Sequence, residues 1–184
     1  GISRMSKVIV NEMAKREDLG LKVLSTLSSQ KGPKKGAQNT ILPWSTRSRI
    51  MRILTDHLHP ALAWFKKPAD VWYFPKGFLP RFNLFKAPMV VTVHDTIIQY
   101  YRDHHPGWRK PAEYAYWQNM LTSTLKNADA IFTVSETSKK NIRSFMLRQG
   151  LPEKEILVTY EPCLYEQTPQ PEDPPKKDYV VHLA

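Results

Sequence analysis

Cysteine occurs once in this chain, at Cys163, so no disulfide can form within it, and that usage fits a reducing compartment. Long apolar runs are missing too: no stretch approaches the roughly 18 residues that a membrane-spanning helix requires. No secretory leader is visible, and because the first residue is Gly1 rather than methionine, a targeting segment ahead of it stays open. There is no internal repeat, which sets repeat architectures aside. Acidic residues are scarce in one half only. Residues 1–92 hold 16 Lys and Arg against 5 Asp and Glu, whereas residues 93–184 hold 11 against 12. An excess confined to one half implies a basic face, whose partner can be nucleic acid, anionic lipid or a phosphorylated substrate.

What is present describes an ordinary globular chain. Its 184 residues suffice for one well-buried domain and are short for two, with 41% apolar and 24% charged residues. The stretch that organises the rest is Met89-Val90-Val91-Thr92-Val93-His94-Asp95. An apolar, β-branched run without polar alternation suits a central parallel strand covered on both faces. Ligands of open α/β sheets bind at the carboxyl ends of the strands. His94 and Asp95 stand where chemistry would be done, or else they simply begin a loop in which Asp95 caps a neighbour.

Other elements follow from periodicity. Met5, Val8, Ile9, Met13 and Ala14 recur at helical spacing behind Ser3, a candidate N-cap, and Gly1 ahead of them can present backbone N–H groups to a phosphate. Leu21–Leu27 reads as a strand and residues 30–40 as a solvated basic loop. Trp44 to about Leu58 reads as a helix in which Arg47, Arg49 and Arg52 alternate with apolar residues, either a membrane-surface face or an ordinary surface helix with one buried stripe. Asp70–Phe74 is a short strand candidate. Phe78, Leu79, Phe82, Leu84 and Phe85 form an apolar loop that either contacts an acceptor or bilayer or tucks under the sheet.

Beyond the organising strand, Thr96–Pro106 reads as irregular and aromatic, and Pro111 to Lys126 as a helix with Tyr114, Trp117, Met120, Leu121, Thr124 and Leu125 on its apolar stripe. Ala128–Val134 is a second buried strand. Ser135 is the N-cap of a helix that runs to about Gln149 and stops at Gly150. Glu155–Tyr160 is another strand candidate. Residues 166–178 have a proline-rich linker composition, and Tyr179–Leu183 resembles one more strand. Alternating strands and helices imply a mainly parallel sheet in an α/β, Rossmann-like, three-layer domain, apparently truncated at both ends.

The segments "GISRMSKVIVNEMAKR", "ADVWYFP", "APMVVTVHDTI", "NADAIFTVSETSKKNI" and "GLPEKEILVTY" occur in this order and at suitable spacings. Together they resemble the N-terminal domain of a family 4 glycosyltransferase with the GT-B fold, over nearly the whole chain. The resemblance implies an N-terminal, acceptor-side domain over residues 1–165, an interdomain linker over 166–178, and the start of a donor-binding domain over 179–184. It implies a retaining transferase that moves a hexose from a nucleotide-diphosphate sugar to a glycan or lipid-linked acceptor, without a metal or other cofactor. His94 would lie beside the donor sugar and the reacting centre, with Asp95 orienting the loop or touching the acceptor. The backbone around Gly1 and Ser3 would lie against the donor diphosphate, and Ser135 would cap its helix at the cleft edge. Trp44, Arg47, Arg49, Arg52 and Phe82 would face membrane or acceptor. A place in cell-envelope polysaccharide synthesis, in the cytoplasm or peripheral on the inner face of the membrane, follows from the same resemblance.

The chain departs from the family pattern in two places. No strand or second glycine accompanies Gly1, and where many members have an Asn-Gly turn this chain has Glu161-Pro162-Cys163. The family's basic pair and paired glutamates belong to the C-terminal domain, so the isolated chain is expected to be inactive. Two other classes remain. Asp103-His104-His105 with His94-Asp95 invites a metal-dependent phosphoesterase, since carboxylate and imidazole ligands suit Mn²⁺, Fe or Zn²⁺. The basic half alone would serve a binding module for nucleic acid or an anionic membrane; no nucleic-acid motif accompanies the charge, and the transferase reading expects no nucleic acid and admits an anionic membrane surface.

Overall fold

The computed structural model describes residues 2–26, 36–42, 48, 50, 51, 53–55, 57, 69–81 and 87–161. The elements run α1 (Ile2–Met13), β1 (Lys22–Thr26), β2 (Gln38–Leu42), β3 (Trp72–Phe74), β4 (Met89–Thr92), α2 (Ile97–His104), a 3-10 turn (Pro106–Trp108), α3 (Pro111–Asn127), β5 (Ala130–Thr133), α4 (Glu136–Arg148) and β6 (Ile156–Val158). Strands β1 and β2 pair in parallel as one small sheet. Strands β3, β4, β5 and β6 form a second sheet in that order, and every pair in it is parallel. This is an α/β, Rossmann-like arrangement.

The register explains the core. Phe74, Val91, Ile131 and Ile156 stand side by side across the four strands, and the last three are completely buried. Helix α3 adds Leu121 and Leu125 to the same cluster, and α4 adds Ile142, Phe145 and Met146. Connections between neighbouring parallel strands are right-handed, which puts successive crossover helices on one face when the order advances in one direction. A common core for α3 and α4 agrees with that rule. The next row, Thr92, Phe132 and Leu157, faces the other way and grades from fully buried at Thr92 to 44% exposed at Leu157. Of the three layers expected, the described residues show the sheet and helices on one face, with the reverse face partly open. Thr92 satisfies its hydroxyl against Tyr73 Oη at 2.7 Å. Burial raises the Tyr73 phenol above its ordinary value, and the bond to Thr92 acts against that shift.

Polar contacts fix the ends of these elements. Asp129 N–H donates to the Met89 carbonyl at 2.9 Å, and Asp129 Oδ2 accepts from Met89 N–H at 2.7 Å, so β4 begins in a reciprocal clip. Lys154 Nζ donates to the carbonyls of Lys126 and Ala128, both at 2.7 Å, satisfying acceptors at the C-terminal end of α3. Helix α4 ends in a Schellman motif. Gly150 has φ +62°, its N–H donates to the Leu147 carbonyl, Leu151 N–H donates to the Met146 carbonyl, and Leu151 packs on the core.

Several expectations need correction. Helix α1 starts at Ile2, which puts Ser3 in its first turn rather than at the N-cap. Residues 38–40, assigned to the end of a basic loop, belong to β2 with residues 41–42, because pairing with β1 satisfies a backbone whose side-chain pattern is nearly silent. Thr96–Pro106, read as irregular, contains α2. Gln99 is the buried residue of α2, so no apolar stripe marks it, and local contacts hold it instead. Asp95 Oδ1 accepts from Ile97 N–H at 3.0 Å, and the rings of Tyr100 and His104, one turn apart, stack at 4.3 Å. Arg102 reaches Gln118 of α3, and Gln118 Nε2 donates to Gln149 Oε1 at 3.1 Å. Gly1, Trp44, Arg47, Arg49, Arg52, Phe82, the linker 166–178 and the strand proposed beyond it lie outside the described residues. Ile50, Met51, Ile53, Leu54, Thr55 and His57 are helical, and Ile50 is 70% exposed. No helix among the described residues is long and apolar enough to cross a membrane.

The apolar loop resolves, where described, in favour of tucking under. Leu79 is buried, its N–H donates to Thr124 Oγ1 of α3 at 3.0 Å, and Phe78 packs on Trp117 with ring centroids 5.1 Å apart. Thr124→Val keeps the shape and removes the acceptor, leaving a buried N–H unpaired. The expected outcome is a loss of about 2 kcal/mol of unfolding free energy, measured by urea titration.

Candidate active site

Because β3 to β6 are parallel, their carboxyl ends share one edge, and the chain leaves that edge at Pro75, Val93, Val134 and Thr159. His94, Asp95 and Ser135 are found there. The ladder continues one step past β4, with Val93 N–H donating to the Phe132 carbonyl at 2.8 Å. His94 follows at once, its side chain 9% exposed. Its Nε2 lies 2.9 Å from the Pro75 carbonyl oxygen. A carbonyl can only accept, so Nε2 carries the proton in that bond, and Nδ1 is the nitrogen left to act on something else.

The Pro75 carbonyl is aimed by a turn of which the family-like motifs include only Pro75. Pro75-Lys76-Gly77 leaves β3 directly, and Gly77 is buried at φ +93°, a conformation that only glycine takes without strain. Proline, then glycine two residues later, right after an aromatic strand is ordinary turn chemistry, so a signal is present in the sequence. What it lacks is a reason to connect residue 75 with residue 94. Parallel pairing of β3 with β4 supplies that reason.

Asp95 is exposed and uses Oδ1 to cap the start of α2. The pair written together in the sequence thus has different surroundings, the imidazole inside and the carboxylate outside. Ser135 is the N-cap of α4. Its Oγ accepts from Ser138 N–H and donates to Ser138 Oγ, both at 3.1 Å. Helix α4 therefore opens at the same edge with the positive end of its dipole. The carboxylate of Glu161, three residues beyond β6, comes within 3.8 Å of His94 Nδ1. The order β4-β5-β6 puts two strand spacings, about 10 Å, between His94 and the line of β6. Residues 159–161 must cross the end of β5 to close that distance.

Ser3 is in the first turn of α1, and the other first-half candidates fall outside the described residues. Asp103, His104 and His105 are not brought to this edge as a ligand group. Asp103 pairs with Arg102 at 2.7 Å, and His104 Nδ1 donates to the Tyr100 carbonyl at 2.9 Å. Among the described residues no group of three or more His, Cys, Asp or Glu could hold a metal ion. The edge thus gathers an imidazole, carboxylates and the N-terminal ends of α2 and α4. A family model described as Glycosyltransferase Family 4 matches residues 21–161, more than half of the chain. No curated protein and no solved structure matches it.

Proposed function

Since the chain belongs to Glycosyltransferase Family 4, we propose that it forms the N-terminal, acceptor-side half of a GT-B transferase that moves a hexose from a nucleotide-diphosphate sugar to a glycan or lipid-linked acceptor with retention. The observation that carries this reading is His94, held at the carboxyl edge of a buried parallel strand with Nε2 committed to the Pro75 carbonyl. An imidazole so fixed presents Nδ1 to a sugar hydroxyl and positions the ring for attack at its anomeric carbon. The acceptor oxygen bonds to that carbon as the bond to the diphosphate breaks, and a leaving phosphate oxygen takes the acceptor's proton. His94 need not act as a base.

Negative charge develops on the diphosphate, and fixed N–H dipoles stabilise it. The backbone around Gly1 and Ser3 at the head of α1, together with the start of α4 at Ser135, supplies such dipoles in this reading. The donor is a co-substrate, and no metal or other cofactor takes part. Trp44, Arg47, Arg49, Arg52 and Phe82 form the surface for acceptor or anionic membrane, and the protein works on the inner face of the membrane in polysaccharide synthesis. Nucleic acid is not a partner.

The described edge is one wall of a cleft, because the family's basic pair and paired glutamates have no counterpart in it. The purified 184-residue chain is expected to give no sugar transfer from UDP-, GDP- or ADP-hexoses, measured by release of nucleotide diphosphate. The native full-length protein is expected to use at least one of them. Turnover by the 184 residues alone would refute the half-site reading. Binding to duplex DNA but not to anionic liposomes in flotation would count against the transferase altogether.

A further inference from the structure

The departure at Glu161 is a sequence feature that the proposed mechanism leaves unused. Its carboxylate is 53% exposed and faces the one His94 nitrogen not engaged by Pro75, at 3.8 Å. That distance is too long for a direct hydrogen bond. A ring that keeps its one proton on Nε2 offers a lone pair at Nδ1, and a carboxylate offers only acceptors. The two groups stand side by side, one buried and one exposed, 3.8 Å apart. A ligand that donates to both would satisfy the pair.

We infer that Glu161 is a substrate-binding residue that, with His94 Nδ1, reads two adjacent hydroxyls of the hexose being transferred. One hydroxyl donates to Nδ1 and its neighbour to the Glu161 carboxylate, so the pair selects a donor sugar by the placement of a diol. An Asn-Gly turn in this place would carry no carboxylate, so the trait belongs to chains with glutamate here. The inference rests on the transferase reading above.

The test uses the native full-length protein with UDP-, GDP- and ADP-hexoses and the singly deoxygenated forms of whichever donor is accepted. The unaltered enzyme is expected to lose at least tenfold in kcat/KM when the hydroxyl taken by Glu161 is absent, the scale of a hydrogen bond to a charged group. Glu161→Ala is expected to raise the donor KM at least tenfold with little change in kcat, and to treat the parent and that deoxy donor alike. Glu161→Gln keeps an acceptor oxygen and is expected to retain part of the discrimination. A Glu161→Ala enzyme that discriminates among the deoxy donors as the unaltered enzyme does would overturn the inference. The ¹⁵N spectrum of His94 in the 184-residue chain decides the same point without turnover. An unprotonated Nδ1 supports the acceptor pair, and a ring protonated on both nitrogens at pH 7.5 overturns it. No turnover with any donor would instead bring down the transferase reading and leave the acceptor pair to the spectrum.

Discussion

His94→Ala is expected to lower sugar transfer by the native full-length protein about 100-fold or more, the scale of losing a group that positions the reacting centre. The variant should still fold, because the core formed by Val91, Ile131, Ile156 and the helices α3 and α4 does not include His94. Asp95→Ala is the informative contrast. Its carboxylate is exposed and caps α2, so the expected loss is about 1 kcal/mol of stability with transfer changed only severalfold. Steady-state kinetics with the accepted donor, together with thermal melting of both variants, check the pair. If Asp95→Ala abolished transfer while His94→Ala left it intact, the roles assigned at this edge would be reversed.

The largest stability effect is expected at Phe145. This ring is completely buried where α4 meets the sheet, in the same cluster as Val91, Leu125 and Ile156. Phe145→Ala removes that contact area and leaves a cavity that the surrounding helices and strands fill only in part, costing about 3–5 kcal/mol. Against a typical total of roughly 5–15 kcal/mol, much of the folding free energy is lost. The melting temperature should fall by roughly 10 °C, read by calorimetry or circular dichroism. A shift of only one or two degrees would mean that α4 is not integral to the core.

Much of the second half of the chain is legible in its amino-acid pattern. The runs around Val91 and Ile131 are apolar and β-branched, which makes parallel strands the economical reading, and of the stripe Tyr114, Trp117, Met120, Leu121, Thr124 and Leu125 all but the half-buried Trp117 are buried on α3. Ser135 can be assigned as a cap because its hydroxyl acts on a backbone N–H three residues away. Elements without such patterns escape. Helix α2 buries Gln99 rather than an apolar stripe, and β2 has little contrast between its faces.

The His94-Asp95 pair marks where sequence stops and tertiary structure takes over. Local pattern alone determined that a buried strand delivers these two residues to a carboxyl edge, since strand propensity and hydrophobic spacing act over a few residues. It could not say that Asp95 would turn outward to cap a helix while His94 turned inward. Nor could it say which nitrogen of the imidazole would be engaged. Those facts depend on Pro75, 19 residues before His94, and on Glu161, 67 residues after it, and only the register of four parallel strands brings them within reach. Contacts at such separations are set by how the sheet assembles, because no local preference records which strand ends will be neighbours.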